Sequence, residues 1–135
     1  MEPDVEYRVI AEASVSPSED PEKVALAVAN ATGAERGQVF LSENQVRFAS
    51  DDPNALKQFR EQLKARRVRS AARAAMYREK RGNSTALLLN RQAAVAGVLV
   101  ICGGPEESPL GPIYMTIQSK KLDDVIEWLT SYASG

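Results

Sequence analysis

Ten of the chain's 17 basic residues fall between positions 57 and 81, where only Glu61 and Glu79 oppose them. On a helix, Lys57, Arg60, Lys64 and Arg67 recur at i, i+3, i+7 and i+10 and would form one continuous stripe. Arg69, Arg73, Tyr77 and Lys80 recur at i, i+4, i+8 and i+11 and would form a second. Arginine outnumbers lysine seven to three in this segment, and its planar fork suits two-point contact with phosphate. The chemistry of such a surface is neutralisation of a polyanion, not bond-making. The alternative is a solvated helix face whose charges pair with acidic neighbours elsewhere on the fold.

Whole-chain totals conceal this segregation, because 135 residues with 17 basic and 18 acidic side chains sum to −1. By position, residues 57–81 carry +8, residues 1–56 carry −7 and residues 82–135 carry −2. The absence of histidine excludes Ser-His-Asp and Cys-His triads, an imidazole base and histidine-ligated zinc. Cys102 is the one cysteine, so no intrachain disulfide is available, and its place at the end of an apolar run predicts an inert core residue. The acidic pairs Asp51-Asp52, Glu106-Glu107 and Asp123-Asp124 could hold Mg²⁺ in principle. Asp52 reads more simply as a helix cap, and Asp123 and Asp124 as complements to a helix N-terminus. Residues 103–112 form a Gly/Pro-rich loop, but three prolines and two glutamates suit a rigid connection better than a phosphate cradle. Asn90-Arg91-Gln92 reads equally as a turn or as polar groups that, with Arg81-Gly82-Asn83, could bond phosphate or ribose. Aromatics are 6% of the chain and no strand interleaves them with cations, so backbone and duplex shape are the expected targets, not unstacked bases.

The elements that must position these groups follow from periodicity. Residues 5–15 alternate apolar and polar and predict a half-buried strand. Asp20-Pro21 and Asp52-Pro53 open helices, Gly33 closes the first, and residues 38–42 and 45–50 form a hairpin between them. Leu56, Phe59 and Leu63 lie on nearly the opposite side of a continuous helix from Ala71, Ala72 and Ala75. That phase break predicts two helices, 53–66 and 69–81, with Ser70 as a new cap. Residues 85–90 and 94–102 read as strands, the second as a buried central one. A last strand at 113–118 and a helix carrying Leu122, Val125, Ile126, Leu129 and Ala133 complete the chain. The order β-α-β-β-α-α-β-β-β-α predicts a single-domain α+β fold, a two-layer sandwich on a mostly antiparallel sheet.

Several of these segments carry a resemblance. Ala72-Arg73, Arg78, Arg81-Gly82-Asn83, Leu89-Asn90-Arg91-Gln92-Ala93-Ala94 and Glu107-Ser108-Pro109-Leu110-Gly111-Pro112 resemble the archaeal Uncharacterised Protein Family numbered 0201. Glu19-Asp20-Pro21-Glu22-Lys23-Val24 near the start and Ile126-Glu127-Trp128-Leu129 near the end fit it too. The resemblance implies an α+β fold similar to the large-subunit ribosomal protein that binds 5S rRNA, and RNA binding as an activity. It implies no reaction, substrate or cofactor. Arg67, Arg73, Arg78, Asn83, Asn90 and Gln92 match polar positions of the family pattern, whereas Arg69 stands where that pattern is apolar.

The sequence thus predicts a non-enzymatic RNA-binding domain with no cofactor, metal or small-molecule substrate. The expected contacts are Lys57, Arg60, Lys64, Arg67, Arg73, Arg78, Lys80, Arg81, Asn83, Asn90, Arg91 and Gln92. An acidic N-terminus and a longest mostly apolar run of ten residues, 93–102, predict a cytoplasmic chain with no membrane segment. The second reading is a protein-interaction module, or a self-associating subunit such as a homodimer, using the same basic face against acidic surfaces.

Overall fold

Alternation in the first strand dictates the layering. The computed structural model describes residues 6–131, and β1 (Tyr7–Ser14) buries Tyr7, Val9, Ala11 and Ala13 while Arg8 and Ser14 face solvent. Val5, at the start of the same pattern, lies outside the described residues. In α1 (Pro21–Thr32) the Asp20 side chain accepts from the Glu22 amide at 3.0 Å, and Gly33 ends the helix at φ 80°. A Cβ on Gly33 would stand 3.0 Å from the Gln58 carbonyl oxygen, so glycine supplies both the left-handed turn and the room for the next helix. β2 (Phe40–Leu41) and β3 (Gln45–Ser50) form the hairpin. Asp52 then caps α2 (Pro53–Ala65) by accepting from the Asn54 amide at 2.9 Å.

The phase break marks a real corner. α2 buries Leu56, Phe59 and Leu63, and α3 (Arg69–Arg78) buries Ala72, Ala75 and Met76. Between them the Val68 amide donates to the Leu63 carbonyl at 3.2 Å and the Arg67 amide to the Lys64 carbonyl at 3.3 Å. This is a Schellman ending, with Arg67 at φ 58° in the place that glycine usually takes. Val68 precedes the new helix without a side-chain cap, so Ser70 is not the cap that its residue type suggested.

β4 (Ser84–Leu89) follows, and there the sequence reading needs correction, for residues 94–102 are not a central strand. Residues Arg91–Val95 form a short helix, α4, capped by the Asn90 side chain accepting from the Ala93 amide at 2.9 Å. Alanines favour helix, Gly97 at φ 81° ends the turn, and Asn30 of α1 donates to the Ala94 carbonyl at 2.9 Å. The apolar tail then runs along the edge of β4, bridging only at Leu89 and Ile101, with Val98 and Val100 exposed. β5 (Ile113–Ser119) and α5 (Leu122–Thr130) close the described chain; Ala133 lies beyond it.

The sheet order is β2-β3-β1-β5-β4, antiparallel throughout. Helices cover one face, where Phe59, Leu63, Met76, Ile126 and Leu129 pack with Val9, Leu87, Met115 and Ile117. The other face is open. The fold is mixed α+β, and no described helix is long and apolar enough to cross a membrane.

Candidate nucleic-acid interface

The two basic stripes meet different fates. In the second, α3 lies against α5, whose polar face carries Asp123 and Glu127 one turn apart. Arg73 Nη2 reaches Glu127 Oε2 at 2.7 Å and Lys80 Nζ pairs with Asp123 Oδ1. The Tyr77 hydroxyl also donates to Glu127, and Arg73 lies 5.4 Å from the centre of the Tyr77 ring. Burial, then the Glu127 hydrogen bond and the Glu127 and Asp123 charges, push the Tyr77 phenol up to about 12. Arg69 Nη1 donates to the Ser131 carbonyl at 3.1 Å. The whole stripe is therefore engaged by the closing helix and its end, and at Arg73 and Lys80 the partners are carboxylates, as the paired-charge alternative expects. Such partly exposed pairs contribute little stability each, but each sets a carboxylate beside the cation that a phosphate would meet.

In the first stripe, Arg60 is withdrawn from the surface. It is 7% exposed, its Nε donates to the Trp128 carbonyl at 2.9 Å, and its guanidinium sits 5.4 Å from the centre of the Trp128 ring. The stripe spacing predicts an outward-facing Arg60, but the α2–α5 packing turns it inward. Lys57, Lys64 and Arg67 are exposed. At the end of α3, Arg78 pairs loosely with Glu79 at 3.5 Å, and Arg81 Nη1 donates to the Arg78 and Lys80 carbonyls, capping the helix. Asn83 is exposed beside Lys80, and the same hollow is lined by Lys120 and Lys121, which stripe-reading could not reach.

The strongest cationic group with no internal partner is the α2–α3 corner. Lys64, Arg66 and Arg67 are all exposed, and among the described residues no acidic side chain lies within ion-pair distance of any of them. Arg66 falls outside both stripes, and the helix ending brings it to the corner, with Nη2 3.6 Å from where a Cβ on Gly97 would stand.

The Asn90-Arg91-Gln92 run resolves into an internal lock. Arg91 is 3% exposed and its guanidinium donates to Glu19 at 2.8 and 3.0 Å, to the Ser14 carbonyl at 2.6 Å and to the Gly111 carbonyl at 2.6 Å. The Arg91 amide donates to Ser108 Oγ at 3.2 Å, Asn90 Nδ2 to the Glu107 carbonyl at 3.3 Å, and Gln92 Nε2 to the Pro109 carbonyl at 2.9 Å. The segments containing Glu19, Arg91 and Ser108 to Pro112, far apart in sequence, thus converge on one buried guanidinium. As a phosphate contact Arg91 is corrected: its donors point inward at carbonyls and a carboxylate.

Those are among the segments that carried the family resemblance, and comparison with known proteins decides it. The chain is 33% identical over 128 residues to a UPF0201 protein of Metallosphaera sedula, covering 94% of this chain and 90% of that one. A UPF0201 protein of Sulfurisphaera tokodaii is 34% identical over 131 residues, covering 91% and 86%. The chain belongs to the UPF0201 family. No model of a protein family matches it. The fold agrees with the crystal structure of the UPF0201 protein from Methanococcus jannaschii, at TM-score 0.74 and 22% identity over 95% of this chain and 96% of that one. It also agrees with a DUF54 protein from Methanothermobacter thermautotrophicus, at TM-score 0.68 and 20% identity over 93% and 96%. Within this UPF0201 chain, then, the Glu19–Arg91–Gly111 lock holds three of the family-like segments together, whereas Arg67 and Arg78, which also match the family pattern, stay exposed.

Proposed function

We propose that the chain binds RNA through its sugar-phosphate backbone, using the α2–α3 corner and not the whole basic segment. The carrying observation is the contrast between Lys64, Arg66 and Arg67, which no acidic side chain among the described residues neutralises, and Arg73 and Lys80, which α5 engages. RNA is the polyanion that the family resemblance implied, and a corner of two guanidinium forks and an ammonium suits paired phosphates. Binding proceeds without catalysis. Histidine is absent, and the Cys102 thiol and Tyr77 phenol are both pushed toward their neutral forms.

Three neutralised phosphates give a slope of log affinity against log salt of about −2 to −3. Fluorescence anisotropy with a structured RNA across a salt series measures that slope. The triple variant Lys64→Glu, Arg66→Glu, Arg67→Glu is expected to lose binding, while Arg73→Gln leaves the slope unchanged. A triple variant that binds as tightly as the parent at moderate salt overturns the proposal.

A further inference from the structure

Register brings together on the open sheet face residues that no single strand joins. Pairing sets Phe40 beside Arg47, Arg47 beside Glu12, Glu12 beside Tyr114 and Tyr114 beside Leu88. The next row reads Ala49, Ile10, Thr116 and Ala86. Phe40 is 72% exposed and Tyr114 44%, an unusual outlay of aromatic surface on strands. Arg47 and Glu12 face each other loosely at 3.8 Å, and Glu12 also accepts from Gln45 Nε2 at 3.3 Å.

The row from Phe40 to Tyr114 reads aromatic, plus, minus, aromatic. Turned about its own midpoint it meets its complement, with aromatic on aromatic and plus on minus. A face that complements itself is what an isologous interface requires. A polyanion is the poorer occupant, because the cation at the centre of the row already has a carboxylate beside it.

We propose that this open face joins two copies of the chain about a twofold axis running along the strands between β3 and β1, with Arg47 of each copy on Glu12 of the other and Phe40 on Tyr114. About such an axis β3, β1 and β5, each roughly 20 Å long, and the two-residue β2 overlap at about 4.8 Å spacing and bury on the order of 700 Å² in total across a pair, which is the size of a weak, transient interface. The dimer is therefore a weak, concentration-dependent one.

Sedimentation velocity on the full chain tests this. The parent is expected to pass from monomer to dimer across the micromolar range, and Phe40→Asp to remain monomeric. Arg47→Glu and Glu12→Arg each set like charges together at both symmetric contacts, so each alone should dimerise at least tenfold more weakly. Mixed in equal amounts, these two variants pair opposite charges twice and should recover a one-to-one dimer, which an effect confined to one chain would not produce. Circular dichroism and melting of each variant verify that the fold is kept. The proposal is overturned by a parent monomeric up to millimolar concentration, by a dimer indifferent to these substitutions, or by a mixture no better than its components. A dimer lost in the corner triple variant yet kept in Phe40→Asp also overturns it.

Discussion

Replacing Arg91 with methionine separates a structural role from a binding role. In the parent, one guanidinium serves Glu19, which is itself largely buried, and the carbonyls of Ser14 and Gly111. Methionine fills the space but leaves a carboxylate and two carbonyls short of a donor, although Ser108 Oγ still reaches the Gly111 carbonyl at 3.0 Å. Removing one member of a buried ion pair costs about 3–5 kcal/mol, a large part of the ~5–15 kcal/mol that holds a domain together. For a chain of this size that is a fall in melting temperature on the order of 10–20 °C. Arg91→Lys keeps the charge but cannot form the fork, so it should retain less than half of the lost stability. Glu19→Gln combined with Arg91→Met should cost less than the two single variants together, because the stranded carboxylate is gone. Equilibrium urea unfolding followed by circular dichroism and by Trp128 fluorescence provides the free energies. A methionine variant within about 0.5 kcal/mol of the parent, the usual span of surface changes, refutes the lock. So would a variant of full stability that had lost RNA affinity, since that is the signature of a surface contact.

Other expectations follow from single groups. Arg67 holds a left-handed backbone at φ 58°, which costs a non-glycine residue about 1–2 kcal/mol. After the extra unfolded-chain entropy of glycine is deducted, Arg67→Gly should stabilise by roughly 0.5–1 kcal/mol. The same variant should reduce the salt slope for RNA by about one phosphate; a destabilised variant refutes the strain. The Tyr77 phenol, pushed up to about 12, stays neutral in the folded chain where an unfolded tyrosine ionises near 10. Its contribution to stability is whole below the unfolded value and disappears as pH rises from there to the folded one. Absorbance titration should show a late phenolate that Tyr77→Phe removes. Burial first, then the nearby Glu107 and Glu106 charges, raise the Cys102 thiol, so a thiol-specific reagent should label it slowly at neutral pH and promptly once urea unfolds the chain.

Local chemistry made much of the architecture legible. Capping by Asp20 and Asp52, the left-handed Gly33 and the phase break between α2 and α3 all stand where residue type and periodicity placed them. The failure at residues 94–102 is equally local in origin. A run of apolar residues is compatible with strand or buried helix, and the choice fell to Asn90 as a cap and to Asn30, which donates to the Ala94 carbonyl from 64 residues away. The acidic spacing of Asp123 and Glu127 was visible too, and matched to Arg73 and Lys80 it could have foretold the α3–α5 seam.

What the sequence determined by itself is where charge and apolar surface lie along each helix and strand, because those periodicities are properties of the backbone. It also excluded histidine chemistry outright. Only the tertiary structure decided which cations keep their charge for a partner. Packing turned Arg60 onto Trp128, set Arg73 and Lys80 against α5 and enclosed Arg91 behind Glu19, while the helix ending left Lys64, Arg66 and Arg67 outside. The same holds for the open face, where Phe40, Arg47, Glu12 and Tyr114 belong to four different strands. A row across a sheet exists only once the register is fixed, and register is settled by burial of the opposite face.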